Sequence, residues 1–146
     1  MRKIIVWGCV SAAGLAFAQS TWTFEKPYVW ARDKASITMA REGDAFAVKH
    51  TGNQDWSLAG FARIPVRPGE IYELTCQVKT ADAAEWANAE TGVILRDEQG
   101  KELSWAYGGA SVSVPCSWTA LTARFIVPKG TASIEPRLIG HGTQSV

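Results

Sequence analysis

His50 and His141 are the only histidines in the 146-residue chain, and neither stands in a pattern that would activate a serine or cysteine nucleophile. His50 closes an alternating segment, and His141 lies in the glycine loop Gly140-His141-Gly142. No His-x-His or Cys-x-x-Cys spacing offers a zinc or iron site, and no glycine-rich loop joins a strand to a helix to cradle phosphate. Two carboxylates could in principle hydrolyse a glycosidic bond. The acidic pairs here, Glu42 with Asp44, Asp82 with Glu85 and Asp97 with Glu98, read better as solvated turn residues. Catalysis is therefore not expected of this stretch.

The aromatic residues suggest a different chemistry. Six of the seven tryptophans lie beyond residue 20. A flat indole can stack on the apolar C–H patch of a pyranose ring, while sugar hydroxyls want planar polar partners such as Asn, Gln, Asp and Arg. Trp86, in a loop, and Trp105 with Tyr107, in Ser104-Trp105-Ala106-Tyr107-Gly108-Gly109, are the candidate platforms. Gln77, Arg96 and Arg137, with Glu135, occupy the wet positions of their strands and would share a surface if those strands are neighbours. Arg96 and Arg137 would favour acidic sugars wherever no nearby carboxylate neutralises them. Trp22, Trp30, Trp56 and Trp118 each adjoin an apolar alternation and are assigned to the core.

The elements that must position these groups are strands. From Gln19 onward the hydrophobic period is two, and no window supports a helical stripe. The clearest segment is Ile71 to Lys79, where Tyr72, Leu74, Cys76 and Val78 alternate with Glu73, Thr75, Gln77 and Lys79. Further strands are expected at 21–25, 35–40, 45–50, 56–64, 91–96, 102–105, 118–127 and 132–139. Turn clusters such as Arg41-Glu42-Gly43-Asp44 and Pro128-Lys129-Gly130-Thr131 separate them. This spacing predicts an all-β fold, a two-sheet jelly-roll sandwich. The ending Gly140 to Val146 reads as a turn into something apolar, as if a final strand were lacking.

Met1-Arg2-Lys3, the uncharged run Ile4 to Ala18 and the small residues of Ala16-Phe17-Ala18 predict a signal peptide over 1–18, leaving 19–146 as one domain. The run is too short for a bilayer span, so no membrane association is expected after cleavage, and the location is secreted or periplasmic. Loss of Arg2 and Lys3 takes the basic count from 15 to 13 against 14 acidic residues, a net charge of −1. That balance argues against nucleic acid as a partner. Export permits a disulfide between Cys76 and Cys116, but Cys76 shares a face with apolar residues, and both the bridge and buried thiols stay open.

Several segments in order carry a resemblance: Thr23-Phe24-Glu25, then Pro68-Gly69-Glu70-Ile71-Tyr72-Glu73-Leu74, then Trp118 with Leu121 and Phe125, then Val127-Pro128 and Gly130. Over 21–142 the chain resembles the exported carbohydrate-binding jelly-roll modules of the galactose-binding-like superfamily. The resemblance implies a non-catalytic module that binds a polysaccharide or oligosaccharide and precedes a catalytic domain of a glycan-degrading protein. It equally implies an alternative, a structural sandwich that braces such a domain without sugar affinity. Members need no cofactor, although some hold a structural calcium, for which Glu25 is the one matching ligand here.

Overall fold

The computed structural model describes residues 8–14, 16–22, 24–81, 83–84, 87–113 and 116–146, with side chains from Lys26 onward except those of 61, 113, 144 and 145. Thirteen strands make up nearly all of the described regular structure: β1 (Gly8–Gly14), β2 (Ala16–Trp22), β3 (Phe24–Ala31), β4 (Ile37–Glu42), β5 (Ala45–His50), β6 (Asp55–Phe61), β7 (Ile64–Pro65), β8 (Ile71–Thr80), β9 (Asn88–Arg96), β10 (Glu102–Ser113), β11 (Cys116–Ile126), β12 (Ser133–His141) and β13 (Gln144–Ser145). Every pairing is antiparallel. The one helical element described is a single 3-10 turn, Lys34–Ser36, opened by the Asp33 side chain accepting from Ala35 N. The expectation of an all-β sandwich holds.

The strands form three sheets, ordered β11-β8-β1-β2, β10-β9-β12-β6-β3 and β13-β5-β4. Period-two patterning sends one face of each inward. On β8 the inward set is Tyr72, Leu74, Cys76 and Val78, as the sequence predicts, and Leu121, Ala123 and Phe125 join them from β11. They meet Val93 and Leu95 of β9, Trp56 and Leu58 of β6, and Ile134 and Leu138 of β12. The third sheet adds Ile37 and Val48 to the same core.

The chain end continues the fold: Val146 is buried and exchanges two backbone hydrogen bonds with Val48, both 2.7 Å. Buried His50 fixes the approach to that end, its Nδ1 donating to Gly142 O at 2.9 Å. The segment read as a leader supplies β1, which pairs with β8 from Cys9 against Thr75 to Ala12 against Tyr72. Cys116 stands opposite Thr80 and Cys76 opposite Leu121 on the same strand pair. Four residues along a strand is roughly 13 Å, so the two thiols are free rather than bridged. Burial pushes the Cys76 thiol up to about 11, against a smaller opposing hydrogen bond with Thr91.

Candidate functional site

The outward face of the five-strand sheet carries the site. Inward positions on β12 are Ile134 and Leu138, so Glu135, Arg137, Ile139 and His141 point the other way. Register then aligns them with their neighbours in lines across the sheet. One line runs Trp30, Ser57, Ile139, Glu90, and the next Asp55, His141, Asn88. In a third, Tyr28 faces Ala59 and Arg137 faces Gly92, brought level by Leu138 against Leu58. Successive lines lie two residues apart, about 7 Å.

These residues line a groove of about 750 Å³. Its composition is ordered by strand position. Aromatic side chains stand on the two edge strands, Tyr28 and Trp30 on β3 and Trp105 on β10, and they remain 49%, 48% and 56% exposed. Polar groups come from the central strands between them: Asn88 and Glu90 of β9, Arg137 and His141 of β12, Asp55 and Ser57 of β6. Four inter-strand steps separate the two edges, about 19 Å before twist is counted.

The floor is partly wired. His141 Nδ1 donates to Asp55 Oδ1 at 2.6 Å. Arg96 is a buried ion-pair centre, with Nη1 donating to Glu102 at 2.6 Å and to Gly100 O at 3.1 Å, and Nη2 to Glu135 at 3.2 Å. Arg137 has neither carboxylate nor carbonyl as partner among the described residues. Its guanidinium carbon lies 5.8 Å from the Trp105 ring centroid, and its Nε is buried without an acceptor. Burial pulls its pKa below the usual arginine value, against smaller opposing effects of Tyr28, Glu90 and Glu135.

Of the residues singled out in the sequence, Trp105 and Arg137 meet in this groove. Arg96 lies on the same face but is sealed by its partners. Gln77 belongs to the other sheet, opposite Ala120, and does not line the groove. Tyr107 packs edge-on against Phe125, centroids 5.8 Å apart, and its hydroxyl donates to Ile126 O at 3.1 Å, which makes it a support of the core. Trp86 and the Glu25 side chain lie outside the described residues, and among those described no three metal-ligating side chains converge.

Two tryptophans expected in the core are on the surface. Trp30 falls on the groove face because the strand runs Phe24–Ala31, with Ala31 and Val29 inward, whereas the sequence reading stopped it at Glu25. Trp118 is 38% exposed, with the Lys79 ammonium 5.7 Å from its ring centre. It shares the parity of the exposed Ala120, Thr122 and Arg124 on β11, opposite to the buried Leu121, Ala123 and Phe125. Trp56, the remaining core assignment with a described side chain, is fully buried.

Tyr28, Asp55, Asn88, Glu90 and His141 were missed as groove residues. The alternation Tyr28-Val29-Trp30-Ala31 was the available signal, and Pro27 before it masked the strand, although proline is tolerated on an edge such as β3.

No protein-family model and no curated protein matches the chain. Among solved structures, it is similar to TmCBM61 in complex with β-1,4-galactotriose, at 14% identity and TM-score 0.45, over 84% of this chain and 83% of that one. It is also similar to the CBM22-1–GH10 modules of Clostridium thermocellum endo-1,4-β-D-xylanase 10B complexed with xylohexaose, at 13% identity and TM-score 0.39, over 100% of this chain and 29% of that one. A third is the enzymatically active domain of bacteriophage CBA120 tailspike protein 4, at 13% identity and TM-score 0.36, over 82% of this chain and 18% of that one.

Proposed function

We propose that the chain is a non-catalytic carbohydrate-binding module of an exported glycan-degrading protein, and that it holds a polysaccharide or oligosaccharide across the outward face of the β10-β9-β12-β6-β3 sheet. The carrying observation is the groove itself: half-exposed aromatic rings on both edges over a floor of Asn88, Glu90, Arg137 and the Asp55–His141 pair. Exposed aromatic area of this size is costly in water and is relieved by a ligand with an apolar face. The floor supplies donors and acceptors for that ligand's hydroxyls. A rigid sheet presents all of them without reordering, which keeps the entropic cost of binding low.

Affinity electrophoresis of the whole chain against a panel of neutral and acidic plant, algal and bacterial polysaccharides tests this reading. Retardation by at least one polymer is expected, with weak affinity in the micromolar to millimolar range, about 4 to 8 kcal/mol. No retardation on any polymer contradicts it. Release of reducing or unsaturated ends from the panel would contradict the non-catalytic part alone. A secreted or periplasmic location, and a catalytic domain as neighbour in the same protein, complete the proposal. Processing before Gln19 on expression in an exporting host, read by mass spectrometry, tests the location.

A further inference from the structure

Arg96 and Arg137 stand on the same face of adjacent strands, and the fold treats them oppositely. Arg96 receives two carboxylates and a backbone carbonyl at its terminal nitrogens, which compensates its buried charge, although its Nε, like that of Arg137, has no acceptor. Arg137 is half-buried at the groove, with Ala59 and Gly92 as its lateral neighbours in the sheet, and it receives a tryptophan face and no anion.

The carboxylates that could serve it are engaged elsewhere. Glu135 is bound to Arg96 and Asp55 to His141. Glu90 lies one line along on β9, and its carboxyl group leans over Gly109 of β10, in the space a side chain at that glycine would fill. Taking a guanidinium partly out of water with no carboxylate bonded to it is costly, and the more distant Glu90 and Glu135 offset that cost only in part. A neutral hydroxyl arriving in the groove could accept one hydrogen bond but would add no charge to offset the rest. A carboxylate matches the planar fork and cancels the charge together.

We propose that the groove is built for a sugar bearing a carboxylate, a hexuronate unit of an acidic polysaccharide, with the acid group set on Arg137 between Tyr28 and Trp105. This rests on the glycan-binding reading and adds the class of sugar. Glu90, one line further along, accepts from the hydroxyls of the adjoining unit, so a single uronate flanked by hydroxyl-rich sugar fits the charge pattern of the floor.

The test is calorimetry of the whole chain against uronate polymers of several linkages, polygalacturonate, alginate and glucuronoxylan among them, each paired with its own carboxyl-reduced form. At least one acid form is expected to bind about ten- to a hundredfold more tightly than its reduced counterpart, the range of one charge-assisted contact. Arg137→Gln should erase that difference while unfolding at the wild-type temperature, and Arg137→Lys should restore part of it. Equal binding of acid and reduced forms would overturn the inference and leave glycan binding standing. So would an acid preference that survives Arg137→Gln in a folded variant, or one that a sulfated polymer without carboxylates reproduces in full. Absence of binding to every polymer, neutral ones included, would overturn both.

Discussion

Gly140→Ala probes the packing on which the groove rests. Gly140 of β12 lies directly opposite Trp56 of β6, and a Cβ added there would fall within the envelope of the indole, against Cε2, Cζ2 and Nε1. Contacting carbons settle at about 3.5–4.0 Å, so the ring would have to retreat by about an ångström or more. Trp56 is wholly buried in one cluster with Leu58, Val48 and Val146, which its ring would have to displace on that side. Overpacking of this kind costs about 1–3 kcal/mol. For a chain of this length that lowers the unfolding temperature by roughly 4–12 °C. Differential scanning calorimetry reads it, and Trp56→Phe in the same chain supplies the control. The smaller ring vacates the contested volume, so the double variant should be at least about 1 kcal/mol more stable than the sum of the single changes. An unchanged melting temperature in Gly140→Ala, or strict additivity with Trp56→Phe, would refute the packing of Trp56 beneath β12.

Trp118→Ala should cost about 1 kcal/mol or less, since it removes a half-exposed ring and one cation–π contact with Lys79, whereas Trp56→Ala should cost about 3–5 kcal/mol; urea titration compares them. The Cys76 thiol keeps its proton in the folded chain up to about pH 11 but loses it near pH 9 when unfolded. The folded state then binds more protons between those values, so stability should fall as pH rises from 9 to 11 by as much as about 3 kcal/mol. Cys76→Val, followed by urea midpoints at stepped pH, should flatten that slope. Glu135→Ala strands one arm of buried Arg96 and should destabilise by about 3 kcal/mol, an effect that chemical denaturation would miss if Glu102 alone sufficed.

Strand β8 was fully legible because nine residues alternate without interruption and a Pro-Gly turn marks its start. Strand β10 was legible only at its beginning. It continues to Ser113 through three register shifts against β9, and each shift resets which side chains face outward. That is why Tyr107, assigned with Trp105 as a platform, turns in to Phe125 while Trp105 faces the groove. Trp118, by contrast, was legible: it stands on the parity of Thr122 and Arg124, opposite to Leu121, Ala123 and Phe125, so the alternation itself turns it outward. The different fates of Arg96 and Arg137 depend on cross-strand register, Ser133 against Arg96 and Arg137 against Gly92, and on which carboxylates that register delivers. The groove is a product of pairing between strands far apart in the chain, so its floor could be read in part but not assembled from sequence.

The central claim is that ligand is held by the aromatic edges of one sheet face. Isothermal titration of the best-retained polysaccharide into Trp30→Ala, Trp105→Ala and Trp118→Ala addresses it most directly. Trp30 and Trp105 flank the groove from opposite edges, and Trp118 is an exposed tryptophan on the other sheet. Affinity is expected to fall about tenfold or more in each groove variant, equal to about 1.4 kcal/mol, and to stay at the wild-type value in Trp118→Ala. Undiminished binding by both groove variants, or loss of binding in Trp118→Ala alone, would contradict the account.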